Sequence, residues 1–167
     1  VLSDTYNGWI QYQTERVKKY VHSTAKSADL QQAYRLYTLA MAGKEHTAAM
    51  NRLKESKSIS EQAKYRLAAA YQIIGKGAVA EALLEKDAVK TAGSYDTFWS
   101  ELRDDAMKLE ALAIMGKIDL AMSLSRSVAD RFSSRYYSTQ ELAFVSSAFS
   151  RLQESLGKSV SEVTISY

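Results

Sequence analysis

Apolar residues recur along this chain at three- and four-residue intervals, and the first stretch already shows the pattern. Tyr6, Ile10, Val17, Tyr20 and Val21 fall on one face of a helix, with Glu15, Arg16, Lys18 and Lys19 on the other, which predicts a helix from about Asp4 to His22. A polar stretch follows, and Ser27 is the expected N-cap of a second helix with Asp29 in its first turn, where a negative charge favours the open amides. Leu30, Ala33, Leu36, Leu39 and Ala40 are its inward residues as far as Ala42. Met50 and Leu53 define a third helix over about Glu45 to Glu55. Ser58 and Glu61 read as an S-x-x-E capping box ahead of a fourth, about Ser60 to Ile74.

A short fifth helix, about Val79 to Glu85, leads into Lys86 to Trp99, which has no clean period and is the longest connection. The sixth spans about Ser100 to Met115 with Leu102, Ala106, Leu109, Leu112 and Ala113 inward; the seventh runs from Ile118 to about Phe132 on Leu120, Ala121, Leu124 and Val128. A second capping box, Ser138 with Glu141, opens the last helix, which carries Leu142, Phe144, Val145, Ala148, Phe149 and Leu152 to about Glu154. Beyond it Val160, Val163 and Ile165 alternate as in the opening of a strand.

Three of these segments end alike: Tyr34-Arg35-Leu36 leads to Gly43-Lys44, Tyr65-Arg66-Leu67 to Gly75-Lys76, and Met107-Lys108-Leu109 to Gly116-Lys117. The glycines lie 32 and 41 residues apart, one helix-turn-helix unit each time. A unit of that size cannot bury its apolar face alone, so neighbouring units must share a core. The expectation is an all-α chain of consecutive helical hairpins, about eight helices stacked as a solenoid or part of a ring. Residues 1–156 form the helical-hairpin domain, and 157–167 form an exit segment patterned like the start of a β-strand.

Composition sharpens this picture. With no proline in 167 residues, nothing forces a break in the helical hydrogen-bond ladder, and the breaks fall to Gly, Ser and Asp. The absence of cysteine excludes disulfides, zinc-thiolate sites and a thioester made within this chain. The formal charge of +3 is spread among alternating signs, the mark of a solvated mixed surface and not of a nucleic-acid face. No apolar run approaches the roughly 20 residues that span a bilayer, so this segment is not expected to insert in a membrane. The opening Val1-Leu2-Ser3-Asp4 has neither an initiator Met nor a signal peptide's regions, and the chain reads as a fragment or excised domain.

The candidates for chemistry are few. Asp104-Asp105 is a carboxylate pair, yet consecutive helical residues point about 100° apart, so an ion pair near a helix start is the better reading. His22 and His46 have no metal-ligand spacing around them, and both are expected as polar residues near helix ends. Gly157-Lys158-Ser159 has the end of a phosphate-binding loop, but Leu152 stands where that loop requires glycine. Tyr34, Tyr65 and Tyr71 fall in the repeat helices and are expected to fill space between layers. Tyr136-Tyr137 precede the Ser138 cap and are expected to staple onto the helix that follows. No catalytic, cofactor-binding or metal residue is assigned.

Thr97-Phe98-Trp99-Ser100-Glu101-Leu102-Arg103-Asp104-Asp105-Ala106 and the helix it opens resemble a segment of the bacterial alpha-2-macroglobulins, where a Ser-x-Leu-Arg-Asp-x-Ala pattern begins a toroid helix. Tyr136-Tyr137-Ser138-Thr139-Gln140-Glu141-Leu142-Ala143 is similar to that family's Ser-Thr-Gln-(Asp/Glu)-Thr-Ala segment, with Leu142 where Thr is usual. The repeats at Gln32–Ala40 and Gln62–Ala70 resemble its preceding hairpins, so the likeness covers about Ser27 to Glu154. It implies an α/α toroid forming the closing part of a thioester domain, in a periplasmic or cell-envelope protein that traps proteases of many kinds. Its Cys-x-Glu-Gln thioester motif is missing here. Either that motif lies upstream of Val1 in the parent, or the parent belongs to the subgroup without one.

The resemblance thus implies a non-catalytic scaffold whose partners are proteases, met through the full-length parent, and other domains of the same polypeptide. An alternative from the repeat lengths is a tetratricopeptide-like adaptor for a protein or peptide, although that repeat's Trp-Leu-Gly-Tyr pattern is missing. A third is a toroid enzyme such as a glycosidase, with carboxylates gathered from several helix ends. If upstream hairpins belong to the parent, the first hairpin here should present an unusually apolar face.

Overall fold

The computed structural model describes residues 2–21, 28–85, 100–132 and 137–161, and within them the chain is all-helical. It divides into two compact units, Val1–Ala92 and Gly93–Tyr167. The first holds α1 (Leu2–Lys18), α2 (Ala28–Met41), α3 (Thr47–Lys54), α4 (Glu61–Ile73) and α5 (Gly77–Glu85). The second holds α6 (Glu101–Ile114), α7 (Ile118–Phe132) and α8 (Thr139–Ser161).

In the first unit α4 lies at the centre, packed against α2 on one side and α5 on another. Leu67, Ala68, Ala69, Ala70 and Tyr71 are all without solvent contact, so this helix is buried round most of its circumference. Its small residues let the neighbours approach, and its weak two-faced pattern follows from having no solvent side to mark. Leu36, Leu39, Met50, Leu53 and Leu83 complete the core, with Val17 of α1 closing it over α2. The Lys64 ammonium, at the start of α4, donates to the Leu84 carbonyl at the end of α5 (3.2 Å), which fixes the two helices as an antiparallel hairpin.

The second unit is built the same way around α6, whose Leu102, Ala106, Leu109, Ala111, Leu112 and Ala113 are buried between α7 and α8. Arg131 near the end of α7 reaches Asp105 near the start of α6 at 2.7 Å, so these two are antiparallel. α8 runs parallel to α6: the Ser147 hydroxyl donates to Glu110 Oε1 (2.8 Å), and further along both helices the Ser155 hydroxyl donates to the Ala113 carbonyl.

The repeated Gly-Lys endings are one turn used three times. Gly43, Gly75 and Gly116 have φ of 64°, 75° and 70°. In each, the lysine amide donates back to the residue five before it and the glycine amide to the residue three before it: Lys44 to Leu39 and Gly43 to Ala40, Lys76 to Tyr71 and Gly75 to Gln72, Lys117 to Leu112 and Gly116 to Ala113. This Schellman arrangement satisfies the open carbonyls of the helix end and needs a residue without a Cβ at the left-handed position.

Several boundaries differ from the sequence expectation. The α4 N-cap is Ser60, whose hydroxyl accepts from the Ala63 amide, and not Ser58, whose own amide donates to Ser56 Oγ. Ser60 wins because its extended φ and ψ of −69° and 157° bring it into reach of that amide. α8 continues through Gly157 to Ser161, past the end expected near Glu154, and takes in Val160, which alternation had placed in a strand. A glycine can remain helical where packing carries the helix on, at a cost of about 1 kcal/mol relative to alanine. Leu120 and Leu142, expected inward, are 59% and 48% exposed. The inward stripes run instead through Ala121, Ser125 and Val128 on α7 and Val145, Ala148 and Leu152 on α8. Ser27, the connection 86–99 and the tail 162–167 lie outside the described residues.

Candidate functional site

The polar groups that sequence reading singled out are found at helix ends. Asp29 accepts from the Leu30 amide with Oδ1 (2.8 Å) and from the Ser60 amide with Oδ2 (2.7 Å), so one carboxylate serves the starts of α2 and α4 together. Ser100 caps α6 by accepting from the Arg103 amide (3.1 Å). The second capping box is present as expected: the Glu141 amide donates to Ser138 Oγ (3.2 Å) and the Ser138 amide to Glu141 Oε2 (2.9 Å).

The carboxylate pair does not converge. Asp104 bonds Arg103 (3.2 Å) on one face of α6, while Asp105 bonds Arg131 on another, the divergence that helical geometry dictates. Burial raises the Asp105 carboxyl above its ordinary range, opposed by Arg131 and Lys108 and assisted by Glu101 and Asp104. His46 stands at the N-cap of α3 without a side-chain cap bond, and its carbonyl accepts from the Ala49 and Met50 amides. His22 and Tyr136 lie outside the described residues. Lys158 and Ser159 are part of α8, so Gly157-Lys158-Ser159 makes no phosphate loop.

The tyrosines divide by depth. Tyr71 is in the core, where its hydroxyl donates to Asn51 Oδ1 at 2.7 Å; burial, with Glu55 adding, pushes the phenol up to about 12. Tyr65 is half-buried and Tyr34 is 41% exposed. Arg66, 1% exposed, places its guanidinium 4.4 Å from the Tyr37 ring and 5.3 Å from that of Tyr34, which holds a buried cation against two aromatic faces. Tyr137 stacks on Phe132, ring centres 4.2 Å apart, and its hydroxyl donates to the Arg131 carbonyl. It therefore secures the end of α7.

Most buried polar side chains among the described residues have a structural engagement, although Gln13 Oε1, Gln32 Oε1 and the Tyr20 hydroxyl are buried without a hydrogen-bond partner. Gln32 donates to the Val17 carbonyl, Lys64 to that of Leu84 and Ser125 to that of Met122. Ser60 and Glu141 serve helix starts, Arg66 lies on two rings, Arg103 pairs with Asp104, and Glu110 accepts from Ser147.

A convergence that sequence reading missed is cationic. Arg16, Lys19 and Arg35 line a cavity of about 250 Å³ between the end of α1 and α2, together with Tyr20, Val21, Ala28 and Gln31. In the sequence Arg16 and Lys19 belong to the solvated face of the first helix and Arg35 to a repeat motif, and nothing in their spacing brings the two helices together. The Arg35 guanidinium is held below its ordinary value, first by burial and then by repulsion from Arg16, with Tyr12 opposing. Burial, with Asp29 adding, raises the Tyr20 phenol.

Among the described residues no three His, Cys, Asp or Glu side chains are grouped to hold a metal ion, and no helix is long and apolar enough to cross a membrane. The fold defines a class, all-helical hairpins with small-residue turns. Compared with known protein families, curated proteins and solved structures, the chain matches none.

Proposed function

We propose that this chain is a non-catalytic scaffold within a bacterial alpha-2-macroglobulin-like protease trap, part of a toroid that holds neighbouring domains of the same polypeptide in place at the cell envelope. The observation that carries the reading is that most buried polar side chains among the described residues serve helix starts, ion pairs and cross-helix bonds. A catalytic centre needs polar groups held in place with free valences directed at a substrate. The likeness of Ser100–Ala106 and of Ser138-Thr139-Gln140-Glu141 to that family supports the same reading, and both stretches are N-terminal caps in the structure.

The outer face of α1 agrees with it. Tyr6, Trp9 and Tyr12 are 46%, 36% and 57% exposed, and Tyr6 stacks on Trp9 with ring centres 6.3 Å apart. An aromatic face of this kind suits contact with another hairpin, as in a continuing array.

The test compares two proteins against trypsin, elastase and thermolysin, with casein as substrate. The isolated chain should leave all three fully active, while the full-length parent should suppress caseinolysis by each. Stoichiometric inhibition by the isolated chain, or a parent inert toward all three proteases, refutes the proposal.

A further inference from the structure

We propose that the cavity between the end of α1 and α2 is a binding site for a small phosphoryl oxyanion of the size and charge of pyrophosphate. Three cations, Arg16, Lys19 and Arg35, line it with the Gln31 amide, and no carboxylate among the described residues is part of its wall. None of the three makes an ion pair among the described residues. The nearby Asp29 is engaged by two backbone amides and does not line the cavity.

Like charges brought together on two helices repel, and the Arg35 guanidinium is held below its ordinary value first by burial and then by the nearby Arg16. An anion carrying two or more charges relieves that repulsion at all three cations together. Guanidinium groups suit it especially, since their planar fork matches two phosphoryl oxygens at once. The volume of about 250 Å³ admits a diphosphate.

The experiment is a calorimetric titration of the 167-residue chain with sodium pyrophosphate at neutral pH. One site per chain is expected, and Arg35→Gln should weaken it by about tenfold or more, as should Lys19→Gln on the exposed side. Lys57→Gln, which removes an exposed cation of the same unit outside the cavity, should bind as the wild type does. Melting curves of each variant separate lost binding from lost folding. Uridine diphosphate in a second titration tells whether the phosphoryl groups come free or carried on an organic ligand, both being forms of the proposed site. No saturable heat from either diphosphate, equal weakening by Lys57→Gln and Arg35→Gln, or citrate binding as tightly as pyrophosphate would each overturn the assignment.

Discussion

Gly116 and Gly8 should respond in opposite directions to the same substitution. At Gly116 φ is 70°, and a Cβ built there meets nothing within 4 Å, so the cost of alanine comes from the backbone alone. The left-handed conformation costs an L-residue roughly 1–2 kcal/mol, and Gly116→Ala should lose about that much. Asparagine tolerates the conformation better, so Gly116→Asn should lose less. Gly8 lies inside α1, also with nothing within 4 Å of a built Cβ, but in ordinary helical backbone. There alanine removes conformational freedom from the unfolded chain, and Gly8→Ala should gain about 0.5–1 kcal/mol wherever unfolding includes α1. Urea unfolding followed by far-UV circular dichroism measures both. In heat denaturation, a change of 1 kcal/mol moves the midpoint by roughly 4–8 °C for a unit of this size. Because the two glycines belong to different units, any separate transitions should shift independently. Wild-type stability for Gly116→Ala, or losses of equal size at both sites, would show that the turn geometry does not set the cost.

Two further substitutions test single bonds. Asp29→Ala leaves the amide of the buried Ser60 without its acceptor and should cost about 1–3 kcal/mol, with Asp29→Asn retaining part of it; faster hydrogen exchange at the Ser60 amide in the variant checks the cause. The Tyr71 phenol, raised from 10.0 to about 12, holds its proton more tightly folded than unfolded, so its contribution to stability is complete below pH 10 and is lost as pH climbs toward 12. Tyr71→Phe should flatten that alkaline decline, measured by urea midpoints across pH, and should also lose about 1 kcal/mol at neutral pH through the bond to Asn51.

Elements with a strong local signature are legible in the order of residues alone. The three Gly-Lys endings and the Ser138–Glu141 box depend on bonds within a few residues of chain, and all four are found as expected. The inward residues of α6, and those of α2 apart from the half-buried Leu30, are also readable from period alone. Pattern and fold part company where tertiary packing chooses between local options. Leu120 and Leu142 have the chemistry of a core residue, yet the axis of each helix turns other residues inward, Ala121 beside the first and Val145 one turn beyond the second. Ser58 satisfies the capping-box spacing as a string, but Ser60 combines extended backbone with a partner on another helix, the Asp29 carboxylate. The cavity is out of reach for a similar reason: Arg16 and Arg35 are 19 positions apart, and only the packing of α1 on α2 makes their charges neighbours.

The cross-helix polar bonds explain why these units have one arrangement instead of several. Apolar contact is non-directional, and α4, with its run of small residues, would lose little if it slid by a turn, about 5.4 Å, along α2. The same slip would carry the Ser60 amide out of reach of Asp29 and leave a buried donor without a partner. Glu110, 4% exposed, imposes the same condition on α6 and α8 through Ser147, and displacement by a turn would strand a carboxylate in the core. Parallel helices two apart in sequence are thereby held in register by a carboxylate from one and a backbone amide or hydroxyl from the other. Such a lock suits a part whose role is to hold other domains at fixed positions, since it penalises sliding in a way that leucine packing alone does not.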